Sequence, residues 1–249
     1  MIHLSRFLIG IRHKRVFRMK NYSGQLVDNI LDIASEDFSR VAESTGNEEI
    51  ILRDANDIFW AKLNRDDVIV EARKIYDWET QGYIEIEKQK VIDYMNEILP
   101  IVSKTLALKD DYFRIGMLFE FRVPVWEGLA DENFGKYVYE KFIQFDAAGE
   151  KKEAEIRIVY KMGVPEGGIV KNFKDYRNVI IHIKRGKGID DDGKEKKCLF
   201  VRVDIQQVFD PSRKGNKIEV SAFYNLAKEH LQKEVIPKLQ AKGVNINYE

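Results

Sequence analysis

The stretch FLIGIRHKRVFRM at residues 7–19 returns in altered form as FRIGMLFEFRVPV at residues 113–125. Phe7, Ile9 and Gly10 stand in register with Phe113, Ile115 and Gly116. Three matches carry weight only if the segments behind them match as well, and they do. Behind the first stretch lies NYSGQLVDNILDIASEDF, in which Leu26, Ile30, Ile33 and Phe38 recur at helical spacing and Ser23 offers an N-cap. Behind the second lies LADENFGKYVYEKFIQF, with Phe134, Val138 and Phe142 at the same spacing. Each half then runs through three β-rich segments: EEIILRD, DIFWAKL and DVIVEARKIYD in the first, EAEIRIVYKM, RNVIIHIKRG and LFVRVDIQQVFD in the second.

The halves also close alike. Ile75-Tyr76-Asp77 answers to Val208-Phe209-Asp210, and Ile84-Glu85-Ile86 to Ile218-Glu219-Val220. A long amphipathic helix ends each half. Val91, Tyr94, Met95, Ile98, Val102 and Leu106 form one buried stripe; Phe223, Leu226, Ala227, Leu231 and Leu239 form the other. Both helices carry a proline at one place, in Glu97-Ile98-Leu99-Pro100 and Glu234-Val235-Ile236-Pro237. Proline within a helix removes a hydrogen bond and bends it, so two unrelated helices seldom share that defect. The chain therefore reads as a duplicated β-α-β(3-4)-α repeat of the α+β class, residues 1–109 and 110–249. One half cannot cover both faces of its sheet. Pairing the first strands predicts a continuous, largely antiparallel curved sheet with helices on one face. Gly10 and Gly116 are then expected side by side, where both strands curve or a helix approaches closely.

This element order resembles the duplicated TATA-binding-protein-like fold. A second likeness is carried by Phe113-Arg114-Ile115-Gly116-Met117-Leu118-Phe119-Glu120-Phe121-Arg122 and by Phe200-Val201-Arg202-Val203-Asp204-Ile205 ahead of the last helix. These resemble the central Arg-Ile-Gly strand and the C-terminal half of a sporadically distributed, uncharacterised bacterial protein family. That resemblance implies no catalytic residue. The family's patchy distribution implies an accessory or regulatory subunit from a mobile or antiviral-defence operon.

Charge and cysteine content narrow the function classes. With 41 basic and 41 acidic residues the net charge is zero, so attraction to nucleic acid has to come from local patches. The lone cysteine, Cys198, rules out an internal disulfide or a multi-cysteine metal site and fits a reducing, cytoplasmic setting. The opening MIHLSRFLIG is too short and too interrupted by Arg6 for a signal peptide, and no run approaches a membrane span. No membrane partner is expected.

Familiar chemical motifs fail one by one. His3, His13, His182 and His230 form no HExxH pair, and His182 inside Val179–Ile183 reads as structural. Asp190-Asp191-Asp192-Gly193 resembles a calcium loop, but the twelfth position holds Leu199, so a hairpin turn is expected. Gly163–Gly168 lacks the lysine and hydroxyl of a phosphate loop, and Gly186-Lys187-Gly188 lacks the third dinucleotide glycine. Asp77, Glu85, Glu87 and Lys88 have imperfect nuclease spacing and read as solvated charge. Cys198 opens a strand, away from the helix N-terminus that activates a thiol. Neither cofactor nor metal is expected, and enzymatic activity is disfavoured without being excluded.

Two features remain. Trp60, Tyr76, Trp78, Tyr83 and Trp126 are dense around loops and, if exposed, suit a protein partner. The first 27 residues hold basic side chains and no acid. Arg12, Lys14 and Arg15, extended by Arg114, Arg122 and Arg157, could neutralise phosphates of a nucleic acid. The same charges could instead keep a strand face soluble. The expected function is a non-enzymatic interaction protein presenting its sheet to a protein partner, with nucleic-acid binding as the alternative.

Overall fold

The computed structural model describes residues 3–17, 19–34, 37–44, 49–77, 79, 82–109, 112–124, 140, 142, 155–163, 175–189, 193–210, 216–244, 246 and 248. Among the described residues, nine strands form one open antiparallel sheet: β1 (His3–His13), β2 (Arg40–Ser44), β3 (Glu49–Arg53), β4 (Phe59–Leu63), β5 (Asp67–Arg73), β8 (Tyr112–Pro124), β9 (Ile156–Gly163), β10 (Tyr176–Ile189) and β11 (Glu195–Val208). A two-residue pair, β6 (Tyr76–Asp77) and β7 (Gly82–Tyr83), stands apart. The spatial order is β2-β3-β4-β5-β1-β8-β11-β10-β9. The two first strands of the repeat are central and adjacent, and Gly10 lies directly opposite Gly116. The strand order is symmetric about this pair, β3-β4-β5-β1 on one side answering to β9-β10-β11-β8 on the other.

The helices are α1 (Ser23–Ala34), α2 (Lys88–Leu106), α3 (Val220–His230), a π-helical segment Leu231–Val235 and α4 (Ile236–Gln240). Apolar side chains at every second strand position face them. Phe7, Ile9 and Ile11 of β1 and Met117, Phe119 and Phe121 of β8 are fully buried there. The rings of Phe7 and Phe119 lie 5.2 Å apart, and Tyr248 meets Phe119 edge-on at 5.6 Å. No helix among the described residues is long and apolar enough to cross a membrane.

The strand registers correct several details. They set Arg73, rather than Asp77, in the place of Asp210. The prolines do correspond: Ile98, Leu99 and Val102 of α2 are buried as are Val235, Ile236 and Leu239. Farther toward the N-terminus, Val91 and Met95 answer to Ala227 and Leu231 only if one residue is inserted. The π-helical segment absorbs that residue. Ser23 does not cap α1; its hydroxyl donates to the Lys20 carbonyl at 3.2 Å. Ile33 is exposed, and Phe38 is buried beyond the helix end. Strand β2 has no signal in the sequence, because Arg40–Ser44 lacks apolar alternation. The helix expected around Phe134 and Val138 lies outside the described residues; Phe142 packs partly against the core.

The paired glycines point to the face without helices, so a close helix does not explain them. Their surroundings differ. A Cβ on Gly10 would meet only side-chain carbons at 3.6 and 3.8 Å, which is ordinary contact. A Cβ on Gly116 would stand 3.2 Å from Gln206 Cγ and 3.5 Å from Asp204 Oδ1. Gly10→Ala is expected to raise stability by about 0.5–1 kcal/mol, through lost backbone freedom in the unfolded chain. Gly116→Val is expected to lower it by about 1–3 kcal/mol by crowding Gln206. Thermal melts that rank the two variants in the opposite order would contradict this difference in crowding.

His13 ends β1 almost fully buried. Its Nδ1 lies 2.8 Å from the Lys14 carbonyl and so donates, leaving Nε2 buried with no partner. Burial holds its pKa below the ordinary value of 6.5, and burial does the same for His230. A base with a depressed folded pKa favours folding above its unfolded pKa and opposes it as pH falls below that value. Urea titrations should therefore show stability declining as the pH falls below about 6.5. His13→Asn should flatten that decline, and an unchanged pH profile would sink the assignment.

Candidate binding surface

The helix-free face is built by the other alternate positions, and register sets them in rows across the strands. At the centre runs Lys62, Ile69, Gly10, Gly116, Gln206, Asn178 and Lys161. Toward one end come Trp60, Glu71, Leu8, Leu118, Asp204, Ile180 and Val159, then Arg73, Arg6, Glu120, Arg202, His182 and Arg157. Arg122, Phe200 and Lys184 form the next row. On the other side of the glycines lie Asp67, Arg12, Arg114, Val208 and Tyr176. Ten lysines and arginines stand in these rows against four acids, in a chain whose total charge is zero.

The acids divide the face. In the first half they hold the cations. Glu71, almost fully buried, takes Arg6 Nε at 2.9 Å and Arg73 Nε at 2.6 Å. Asp67 holds Arg12 through two bonds of 3.0 Å, whose pull raises the Arg12 pKa against burial. Arg53 and Arg73 both stack on Trp60, at 3.7 and 4.2 Å from its ring centre. Toward the second half, Arg202 pairs with Glu120, and His182 with Glu155. Arg114, Arg157 and Lys184 form no ion pair among the described residues. Arg122 lies over Phe200 at 5.3 Å with its Nε buried and unpartnered, and Lys161 lies over Tyr176 at 4.6 Å. Asp204 is pushed by burial toward a higher pKa, and its bond from Gln206 and the charge of Arg114 only partly oppose that.

The residues singled out from sequence thus have definite places. Arg12, Arg114, Arg122 and Arg157 share the helix-free face. Lys14 and Arg15 lie beyond β1, exposed, and Arg15 sits 5.7 Å from the ring of Phe17. Phe17 is 74% exposed and carries a second guanidinium, Arg65, at 6.0 Å. Of the aromatic group, Tyr76 is buried and Tyr83 packs edge-on to it while its hydroxyl donates to the Ile189 carbonyl. Trp60 is half-buried in its arginine stack. Trp78 and Trp126 lie outside the described residues. Glu85 pairs with Lys74, and Glu87 precedes α2. Sequence reading missed Lys184, Arg202 and Gln206; strand alternation signalled their face, but not their neighbours.

No protein-family model matches the chain, and no curated protein matches it significantly.

Proposed function

We propose that this is a non-enzymatic binding protein whose helix-free sheet face receives a single-stranded nucleic acid. The observation that carries the reading is the excess of cations on that one face, of which Arg114, Arg157 and Lys184 form no ion pair among the described residues. Half-buried aromatic rings lie among them, Phe200, Tyr176 and Trp60, each already stacked with a cation, and Phe17 stands exposed at the margin. Cations that follow a backbone, interleaved with rings that accept bases, are what sequence-tolerant single-strand binding requires.

The test is fluorescence anisotropy with single-stranded RNA and DNA oligonucleotides across a salt series. Four neutralised phosphates predict a slope of log K against log salt of about −3. Absence of binding to any oligonucleotide at low salt would remove the proposal. A protein partner is the second reading, favoured by the half-buried Ile69, Leu8, Leu118 and Ile180 running through the basic rows. An apolar centre with an arginine rim is also how protein interfaces are built. Stoichiometric capture of a protein that competes with the oligonucleotide would favour it.

A further inference from the structure

The symmetric strand order exposes a place where the halves differ in chemistry. The registers set Ile50 of β3 in correspondence with Tyr160 of β9, and Ala61 of β4 with Arg177 of β10. The helix alignment sets Tyr94 against His230. In the first half these positions are core: Ile50, Ala61 and Tyr94 are all buried. In the second they are three ionisable side chains, all half-buried, on the helix-bearing side of the sheet next to its β9 edge. The inserted residue of the π-helical segment begins immediately after His230. Single π turns of this kind recur at functional sites because they re-aim a side chain without breaking the helix.

The three groups form one cluster. The Tyr160 hydroxyl and His230 Nε2 are hydrogen-bonded at 2.9 Å; with the hydroxyl as donor, the neutral imidazole carries its proton on Nδ1. Arg177 lies diagonally from Tyr160 on the neighbouring strand, and its charge reaches His230. Among the described residues its Nε is buried with no partner, and burial pulls its pKa down with no acid restoring it. Glu234, whose charge reaches Tyr160 and His230, is bound to Lys238 at 3.0 Å. A desolvated guanidinium without a counter-charge is costly unless an anion completes it.

We infer that Arg177, Tyr160 and His230 form a binding site for a phosphate group. The planar fork of arginine matches phosphate oxygens, and the imidazole supplies a second donor beside it. This site lies on the opposite side of the sheet from the proposed nucleic-acid surface and stands or falls separately.

Titrating the full chain with inorganic phosphate, against chloride at matched ionic strength, tests it. A saturable rise in Tm and a shift of the His230 imidazole NMR signal are expected, the signal being identified by His230→Gln. Arg177→Gln should fold as stably as the parent, because it removes an uncompensated charge, and should lose roughly tenfold or more in phosphate affinity. Tyr160→Phe should weaken binding by a smaller factor. The combined Arg114→Gln and Arg157→Gln variant should keep the full response. A parallel arm with phosphoserine separates the sources: equal affinity indicates a free-ion site, and tighter binding indicates a reader of phosphoryl groups on a larger molecule. The assignment is overturned if neither probe gives a saturable response, if Arg177→Gln responds like the parent, or if the Arg114/Arg157 variant loses the response.

Discussion

Replacing Phe119 with alanine is expected to lower the unfolding free energy by about 3–5 kcal/mol. The side chain is fully buried on β8, one of the two strands at the middle of the nine. It touches Phe7 from the other half of the repeat and Tyr248 from the chain end. Removing it strips one ring from a contact that joins the halves, and neighbours fixed in a sheet collapse poorly into the space. Urea unfolding is the measurement. A loss below about 1 kcal/mol would mean that the two halves do not depend on this shared core.

The second large effect concerns binding. Arg114→Glu combined with Arg157→Glu is expected to weaken single-strand binding by at least about a hundredfold at low salt, since two charge-assisted contacts become repulsive. Melting should barely move, because neither guanidinium holds an ion pair among the described residues. Arg12→Gln is the informative contrast: Asp67 already occupies that guanidinium through two bonds, so its loss should weaken binding far less. If all three substitutions leave affinity untouched, the basic rows serve solubility.

The α+β class and the antiparallel sheet are legible in sequence because they are written in local patterns: alternation in the strands and helical spacing behind them. Register is not local. Nothing in Glu71 alone announces that it is almost fully buried between Arg6 and Arg73, which lie on two strands far apart in sequence. Trp60 reads as a possible contact residue, yet two arginines stack on it. Arg177, Tyr160 and His230 become a group only when β9, β10 and α3 are laid together. The glycines stand out by pattern, but which of them has room for a side chain depends on Gln206 across the strand.

The uneven pairing of charges across the glycine pair has one more consequence. A duplicated scaffold with identical halves would look the same to a strand laid either way round. Here one half arrives with its guanidiniums already committed to Glu71 and Asp67, whereas Arg114, Arg157 and Lys184 toward the other hold no ion pair among the described residues. A polymer with distinct ends would feel that gradient as a compass, so the face can dictate polarity as well as attachment. Oligonucleotides labelled at the 5′ or the 3′ end should then report different proximity to a probe placed on β9.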